Sequence, residues 1–349
     1  MTNQDQSGSP DGRPRRLPTL EIVAELAGVS RATVSRVVNG SPKVSPEVVA
    51  AVNKAISALG YVPNRAARTL VTRRTDTIVL IMHERPDTVF EDPFFANVLR
   101  GVNTALSTTE LQLVLLHARG DQQRERALRY VCNGHVDGAL LISLHGDDPM
   151  PTAISAAGIP MVVMGRPLSG RRVDYVDADN VGGGHEAVRH LVAAGRRCLA
   201  TVAGPMDMSA GVDRLRGYID ATHAAELENA AVRVGHGDFT EAAGYREMKL
   251  LLEQTPKVDG VFVASDLMGI GVLRALHEIG RRVPEDVAIV GFDDAPLASY
   301  ADPPLTTIRQ PVELLGQEMV RLLLHRLLDP DGDPESVILP TELVVRSST

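Results

Sequence analysis

Cysteine is nearly missing from this chain: among 349 residues only Cys132 and Cys198 carry a thiol. They stand far apart and have no partners at metal-ligand spacing, which excludes a disulfide framework or a zinc site and predicts two buried thiols. Long apolar runs are missing too. Hydrophobic residues make up 44% and charged residues 23%, an ordinary globular balance, yet no run approaches the roughly 18 apolar residues of a membrane span. The opening MTNQDQSGSPDGRPRRLP is polar, with no apolar stretch of the secretory kind, and this predicts a cytoplasmic protein. Catalytic signatures are absent as well: there is no HExxH and no Gly-x-Ser-x-Gly elbow. Gly269-Ile270-Gly271 falls inside a helical pattern and lacks a third glycine, while Gly182-Gly183-Gly184 follows no buried strand with the right turn. A dinucleotide-binding oxidoreductase is thereby set aside. Asp177-Ala178-Asp179 continues with Val181 where a calcium loop needs an oxygen ligand. No enzyme, cofactor or metal site is expected.

What is present is a chain long enough for two or three domains, with its charge unevenly divided. Residues 1–74 hold eleven Arg and Lys against five Asp and Glu, so with a net charge of −8 overall the remainder carries −14. A small basic head on a large acidic body suits a chain whose first segment meets phosphates while the rest is repelled by them.

After a tail over residues 1–17, expected to be disordered, three short helical patterns follow. Thr19 is placed to cap a first helix whose Ile22, Val23 and Leu26 share a face. Gly28 supplies a tight turn, and Ser30 caps a second helix from Arg31 to Asn39, ended by Gly40. Val34, Val37 and Val38 form its apolar stripe, so Arg31, Ala32, Ser35 and Arg36 point outward. Ser45, Pro46 and Glu47 open a third helix with Val48, Val52, Ile56 and Leu59 inward and Gly60 as its stop. A helix bearing short residues and arginine, set after a tight turn, has the chemistry of a major-groove reader. Short side chains allow close approach, and arginine forks onto guanine O6 and N7. The same pattern also describes a solvated face on a small adaptor domain.

The segment from Thr19 to Leu70, with AGVS, TVSRVVNG and GYVPNRAARTL, resembles the DNA-binding head of the lactose-repressor/galactose-repressor (LacI/GalR) family. The likeness continues through DNVGGG, GPMDM, DRLRGY, GDFTEAAGY, ASDLMGIGVLRAL, RRVPEDVAIVGFDD and PPLTTIRQP. One departure is Ile22, where the family commonly has Asp; the capping box is lost and a less stable first helix is expected. The resemblance implies that Arg31, Ala32 and Arg36 select operator bases, within a DNA-facing set that also holds Thr19, Ser30, Thr33, Ser35 and Asn39. It further implies a hinge helix over Asn64–Leu70 that forms only on operator DNA, with Asn64, Ala67 and Leu70 at the minor groove and Leu70 prising open a base step.

From Thr77 onward, short apolar runs alternate with helical stretches, the signature of parallel sheets covered by helices, and the pattern restarts near Arg197. The expected strands are Ile78–Met82, Leu113–His117, Gly138–Ser143, Met161–Met164, Leu199–Ala203, Ala231–His236, Gly260–Ala264 and Ala288–Gly291. The fold class is therefore mixed, α plus α/β. A helix-turn-helix head over 18–63 joins, through a hinge and linker over 64–75, a two-lobed body of parallel sheets over 76–349. The resemblance implies that this body is like a periplasmic binding protein, with lobe 1 over about 76–177 and 309–336, and lobe 2 over about 178–308 and 337–346. In open parallel sheets ligands sit beyond the carboxyl ends of the strands. The residues there are rich in carboxylates, with arginine and aromatics, as a polyhydroxylated ligand requires. Positions matching Phe94 or Phe95, Arg214, Phe239 and Asp293 contact the effector in similar family members. Asp179 and Asp266 join the candidates, although helix capping explains them equally well. Met208 stands where some relatives have a polar contact. The expectation is a ligand-responsive repressor whose partners are operator DNA, a sugar-like effector and a second copy of the chain, with further pairing to a tetramer open. A solute-binding protein for uptake is opposed by the basic head and the missing signal.

Overall fold

A computed structural model of the chain describes residues 18–38, 41, 43–61, 74–227 and 230–349. The chain divides into two units, Met1–Thr75 and Asp76–Thr349.

The first unit holds α1 (Leu20–Ala27), α2 (Arg31–Val38) and α3 (Pro46–Leu59). Gly28 and Gly60 take left-handed conformations, with φ of 67° and 60°, and each closes a helix with its own N–H. Ser30 caps α2 as anticipated, its Oγ accepting the Thr33 N–H at 3.1 Å. Thr19 and Ser45 occupy cap positions, but neither side chain accepts a helix N–H. The expected Thr19 cap is thus a backbone feature, its carbonyl accepting from Val23 at 3.1 Å. Val23, Ala24, Val34, Val52, Ala55 and Tyr61 are buried together and hold the three helices.

The second unit is built on two six-stranded sheets. The first contains β1 (Thr77–Met82), β2 (Gln112–His117), β3 (Gly138–Ile142), β4 (Met161–Met164), β5 (Asp174–Ala178) and, from the end of the chain, Ser336–Leu339. The second contains β6 (Leu199–Ala203), β7 (Val234–His236), β8 (Gly260–Val263), β9 (Ala288–Asp293), β10 (Thr306–Arg309) and, again from the end of the chain, Glu342–Val344. In chain order those two late strands are β11 and β12, and the sheet orders are β11-β5-β4-β3-β1-β2 and β12-β10-β9-β8-β6-β7. Strands such as TIVLIM and GALLI are buried almost throughout, as a sheet covered on both faces demands.

Four expectations need correction. The body is not wholly parallel, because β12 runs antiparallel to β10, as an edge strand can without a crossover helix. Ser336–Leu339 still pairs with β5, so the last crossing falls after Leu339 rather than near residue 336. The strand expected from Ala231 begins only at Val234, after a short 3-10 turn at Ala230–Val232. Finally, neither thiol is buried as expected: Cys198 is half-buried, and Cys132 is exposed, since it lies where the Asp121–Tyr130 helix passes into a wider turn with Gly134 at φ 76°. Both cysteines are free thiols.

Candidate functional site

On the head, the outer face of α2 presents Arg31, Ala32 and Arg36 to solvent, while Thr33 and Ser35 are half-buried along its flank. Val34 faces the core with no exposed area, which fixes the rotation of the helix and hence the exposed face. Arg31 does not stand alone: its Nε lies 2.8 Å from Glu21 Oε1 on α1. An exposed pair of this kind contributes little stability, and it holds the guanidinium in one orientation at the end of the reading face. Asn39 and the hinge candidates Asn64, Ala67 and Leu70 lie outside the described residues, as does the tail over 1–17.

In the body, the carboxyl ends of both sheets face a common cleft. Its floor is Arg214, from the Ser209–Ala224 helix, with 4% of its surface exposed. Arg214 Nε donates to Asn180 Oδ1 at 2.8 Å and Nη1 to the Ala264 carbonyl at 2.6 Å, while Asp293 Oδ1 lies 3.4 Å from Nη1. The guanidinium carbon sits 3.7 Å from the Phe292 ring centre and 5.7 Å from that of Phe239. A buried guanidinium is tolerable only with such partners, and here they come from Asn180 at the start of the helix after β5 and from Ala264 and Asp293 at the ends of β8 and β9. Asp293, at φ 115° where β9 ends, also accepts from Gln310 Nε2 at 2.6 Å. Burial pushes its carboxyl up to about 7 against the lowering influence of Arg214. Behind it, Asp266 is fully buried and accepts the Thr307 hydroxyl at 2.6 Å and the Ala295 N–H at 2.8 Å. Burial, then the neighbouring Asp293, drives its carboxyl well above the usual range.

The aromatic walls come from both lobes. Phe239 adopts φ 66° and packs its ring against Gly204, where an added Cβ would meet it at 2.5 Å. Phe94 and Phe95 open the Pro93–Leu106 helix, which Asp92 caps by accepting the Phe94 N–H at 2.9 Å. Their rings meet edge to face at 5.4 Å; Phe95 is buried in the first-lobe core and Phe94 is half-buried. Both line the cleft, as do Arg214, Phe239, Asp293 and Met208.

Asp179 and Asp266 do not reach it. Asp179 is exposed and accepts the Gly182 N–H at 2.8 Å, capping the Asn180–Ala193 helix. Asp266 braces the segment behind Asp293. Among the cleft residues that the sequence reading did not single out are Asn180 and Gln310, which bond Arg214 and Asp293. Gln310 directly follows β10, and Asn180 opens the helix one residue beyond the end of β5, so the carboxyl-end rule points to both regions once DYVDA and TTIR are recognised as strands.

The lobes are also joined at the rim. Arg166 makes a two-pronged bond to Asp213 at 2.7 and 3.1 Å, and the Gly146 N–H donates to the Asp207 carbonyl at 2.7 Å. His145 spans Glu84 at 2.8 Å and Asp207 at 3.1 Å. Its imidazole is raised, first by the Glu84 bond. Among the described residues, no group of His, Cys, Asp and Glu is arranged to hold a metal ion. No helix there is long and apolar enough to cross a membrane.

Residues 19–64 match the bacterial regulatory proteins of the lacI family, and residues 188–349 match the periplasmic binding protein-like domain. The chain is 52% identical to the HTH-type transcriptional regulator CelR of Thermobifida fusca over 96% of its length and 99% of that protein. Among solved structures it is similar to a transcriptional regulator CelR–cellobiose complex, with a TM-score of 0.77, 50% identity, and coverage of 95% of this chain and 100% of the other. It is also similar to a lac repressor dimer bound to operator and the anti-inducer ONPF, with a TM-score of 0.83, 26% identity, and coverage of 96% and 99%. A helix-turn-helix head with its reading face exposed, and a body with a binding cleft at its strand ends, agree with that kinship: the chain belongs to the LacI family and is a DNA-binding transcriptional regulator.

Proposed function

We propose that the chain is a cytoplasmic repressor that binds a pseudo-palindromic operator as a homodimer and is controlled by a sugar held in the cleft of the body. Arg31, Ala32 and Arg36 read bases in the major groove, with Thr19, Ser30, Thr33, Ser35 and Asn39 positioning the head on the backbone. Two copies are required because one short helix makes too few base contacts for genomic specificity.

The observation that carries the sugar reading is the Arg214–Asp293–Asn180 cluster walled by Phe239. Fixed acceptors and donors match adjacent hydroxyls, and an aromatic face matches the C–H side of a pyranose. The cellobiose seen with a relative at 50% identity points the same way. Because Phe94 and Asp293 come from different lobes, an occupant gains most when the cleft is closed, and it shifts the closed population by that difference in affinity. Isothermal titration of the full chain with cellobiose, glucose, ribose and adenosine, paired with operator titrations at one salt concentration, tests the reading. A sugar that binds and changes operator affinity supports it; adenosine alone binding defeats it.

A further inference from the structure

The head carries a carboxylate beside the arginine that opens its reading helix. Over residues 1–74, eleven Arg and Lys stand against five Asp and Glu, and such a surplus draws the head to phosphate along any duplex, whatever its sequence. Glu21, in the first turn of α1, works against that attraction. Its side chain is exposed, as is that of Arg31 at the start of α2, and its Oε1 lies 2.8 Å from Arg31 Nε.

The carboxylate is itself held in place. It accepts from its own backbone N–H and from the Thr19 hydroxyl, and these bonds, ahead of Arg31, keep it below the ordinary glutamate range. It is therefore ionised at neutral pH. The Thr19 side chain, engaged here, is the one that does not cap α1. The two helices that carry the pair are locked by Val23 and Val34, both without exposed area, so donor and acceptor sit on packed elements rather than on a loop. Arg36, on the same reading face, has no side-chain partner among the described residues.

Occupying Nε has a geometric consequence. A guanidinium offers five N–H donors in one plane. With Nε taken by Glu21, the edge left open is the pair of terminal nitrogens, and that pair can span guanine O6 and N7. An untethered arginine also reaches neighbouring phosphates, and a phosphate contact carries no sequence information.

We infer that Glu21 is a positioning residue for base readout: it holds the Arg31 guanidinium end-on to guanine and away from phosphate, exchanging general affinity for preference at one base pair of each half-site. This rests on the assignment of Arg31 to base contact given above. The pair acts on readout rather than on the fold, because an ion pair this exposed contributes little stability.

The test begins with selection of duplexes by the full wild-type chain from a pool with randomised inverted half-sites. Wild type, Glu21→Ala, Arg31→Ala and the double variant are then titrated at matched salt against the selected duplex, its single-base substitutions and a random duplex. In wild type, replacing one guanine of each half-site is costly, and Arg31→Ala removes that cost. Glu21→Ala lowers the preference for the same guanine about five- to tenfold, within the discrimination of one bidentate contact. It also tightens binding to the random duplex and steepens its salt dependence, as an arginine released to phosphate requires; tighter random binding also shows that the variant head is folded. In the Arg31→Ala background, Glu21→Ala changes no base preference. The inference is overturned if Glu21→Ala weakens all duplexes by one factor, spares the guanine preference, or acts equally with Arg31 removed. If Arg31→Ala alters no base preference, the base-reading role of Arg31 falls and the inference with it.

Discussion

Arg214 and Asp293 form a buried, charged contact in the wall of the cleft. The guanidinium is buried, and burial lowers its hold on its proton while Asp293 opposes that trend. In the same contact the Asp293 carboxyl rises to about 7. A ligand hydroxyl donating to Asp293 favours the ionised form, so ligand binding lowers that value. Effector affinity should therefore fall as pH drops through about 7, and Asp293→Asn should flatten the difference; calorimetry at pH 6, 7 and 8 on both proteins checks the sign. Asp293→Ala should weaken the effector by about 1.5–3 kcal/mol, the range for hydrogen bonds to charged groups. Phe239→Ala should also weaken it, by removing the ring from the wall. Operator affinity of the unliganded full chain should stay nearly unchanged in both variants. Equal effector titrations for wild type and both variants would show that the cleft is misassigned.

At the scale of elements, α2 shows how a cap and a stripe aim a reading face. Ser30 bonds the Thr33 N–H, so Ser30→Ala should cost the head about 1 kcal/mol, read as a lowered melting temperature of the head transition. Arg36→Ala leaves the fold alone and should cost about 1–3 kcal/mol at a cognate operator; equal operator binding by mutant and wild type at matched salt would refute the assigned face. The three helices were legible because Gly28, Gly60 and Pro46 punctuate them and valines mark their inner sides. In the body, strands such as TIVLIM and LATVA announced themselves as apolar runs. DYVDA, TTIR, SVIL and ELV did not: the first two mix polar side chains that are nonetheless buried, Asp174, Asp177, Thr306 and Thr307 among them. Their burial is made tolerable by partners distant in sequence, such as Arg326 on Asp174 and Asp266 on Thr307, and no local pattern reveals a partner about 150 residues away.

For the whole body, the decisive feature is that two lobes are clasped by polar contacts rather than by a shared apolar core. Arg166 on Asp213, and His145 between Glu84 and Asp207, are bonds that water can replace when the cleft opens. An apolar seam would resist parting more than such contacts do. Arg166→Ala should leave the melting temperature nearly unchanged, speed effector dissociation and weaken effector binding by a few-fold. Stopped-flow release of bound sugar checks this; an unaltered off-rate would show that the clasp does not govern closure.

By itself the sequence determined the order of domains, the helix-turn-helix head, the alternation that makes parallel sheets, and four cleft residues, Phe94, Arg214, Phe239 and Asp293. The domains and elements are written in local periodicity and turn chemistry, and Phe239 and Asp293 at strand ends, whereas Phe94 and Arg214, which lie in helices, were pointed to by the resemblance to the LacI/GalR family. Only the tertiary structure decided that Asp179 is a helix cap and Asp266 a brace, and that Asn180 and Gln310 join Arg214 and Asp293. Each of these depends on which strand ends the folded chain brings side by side. The reason is physical: a carboxylate beside a helix start reads alike in sequence whether it bonds its own backbone or faces a ligand, and only packing between distant segments separates the two.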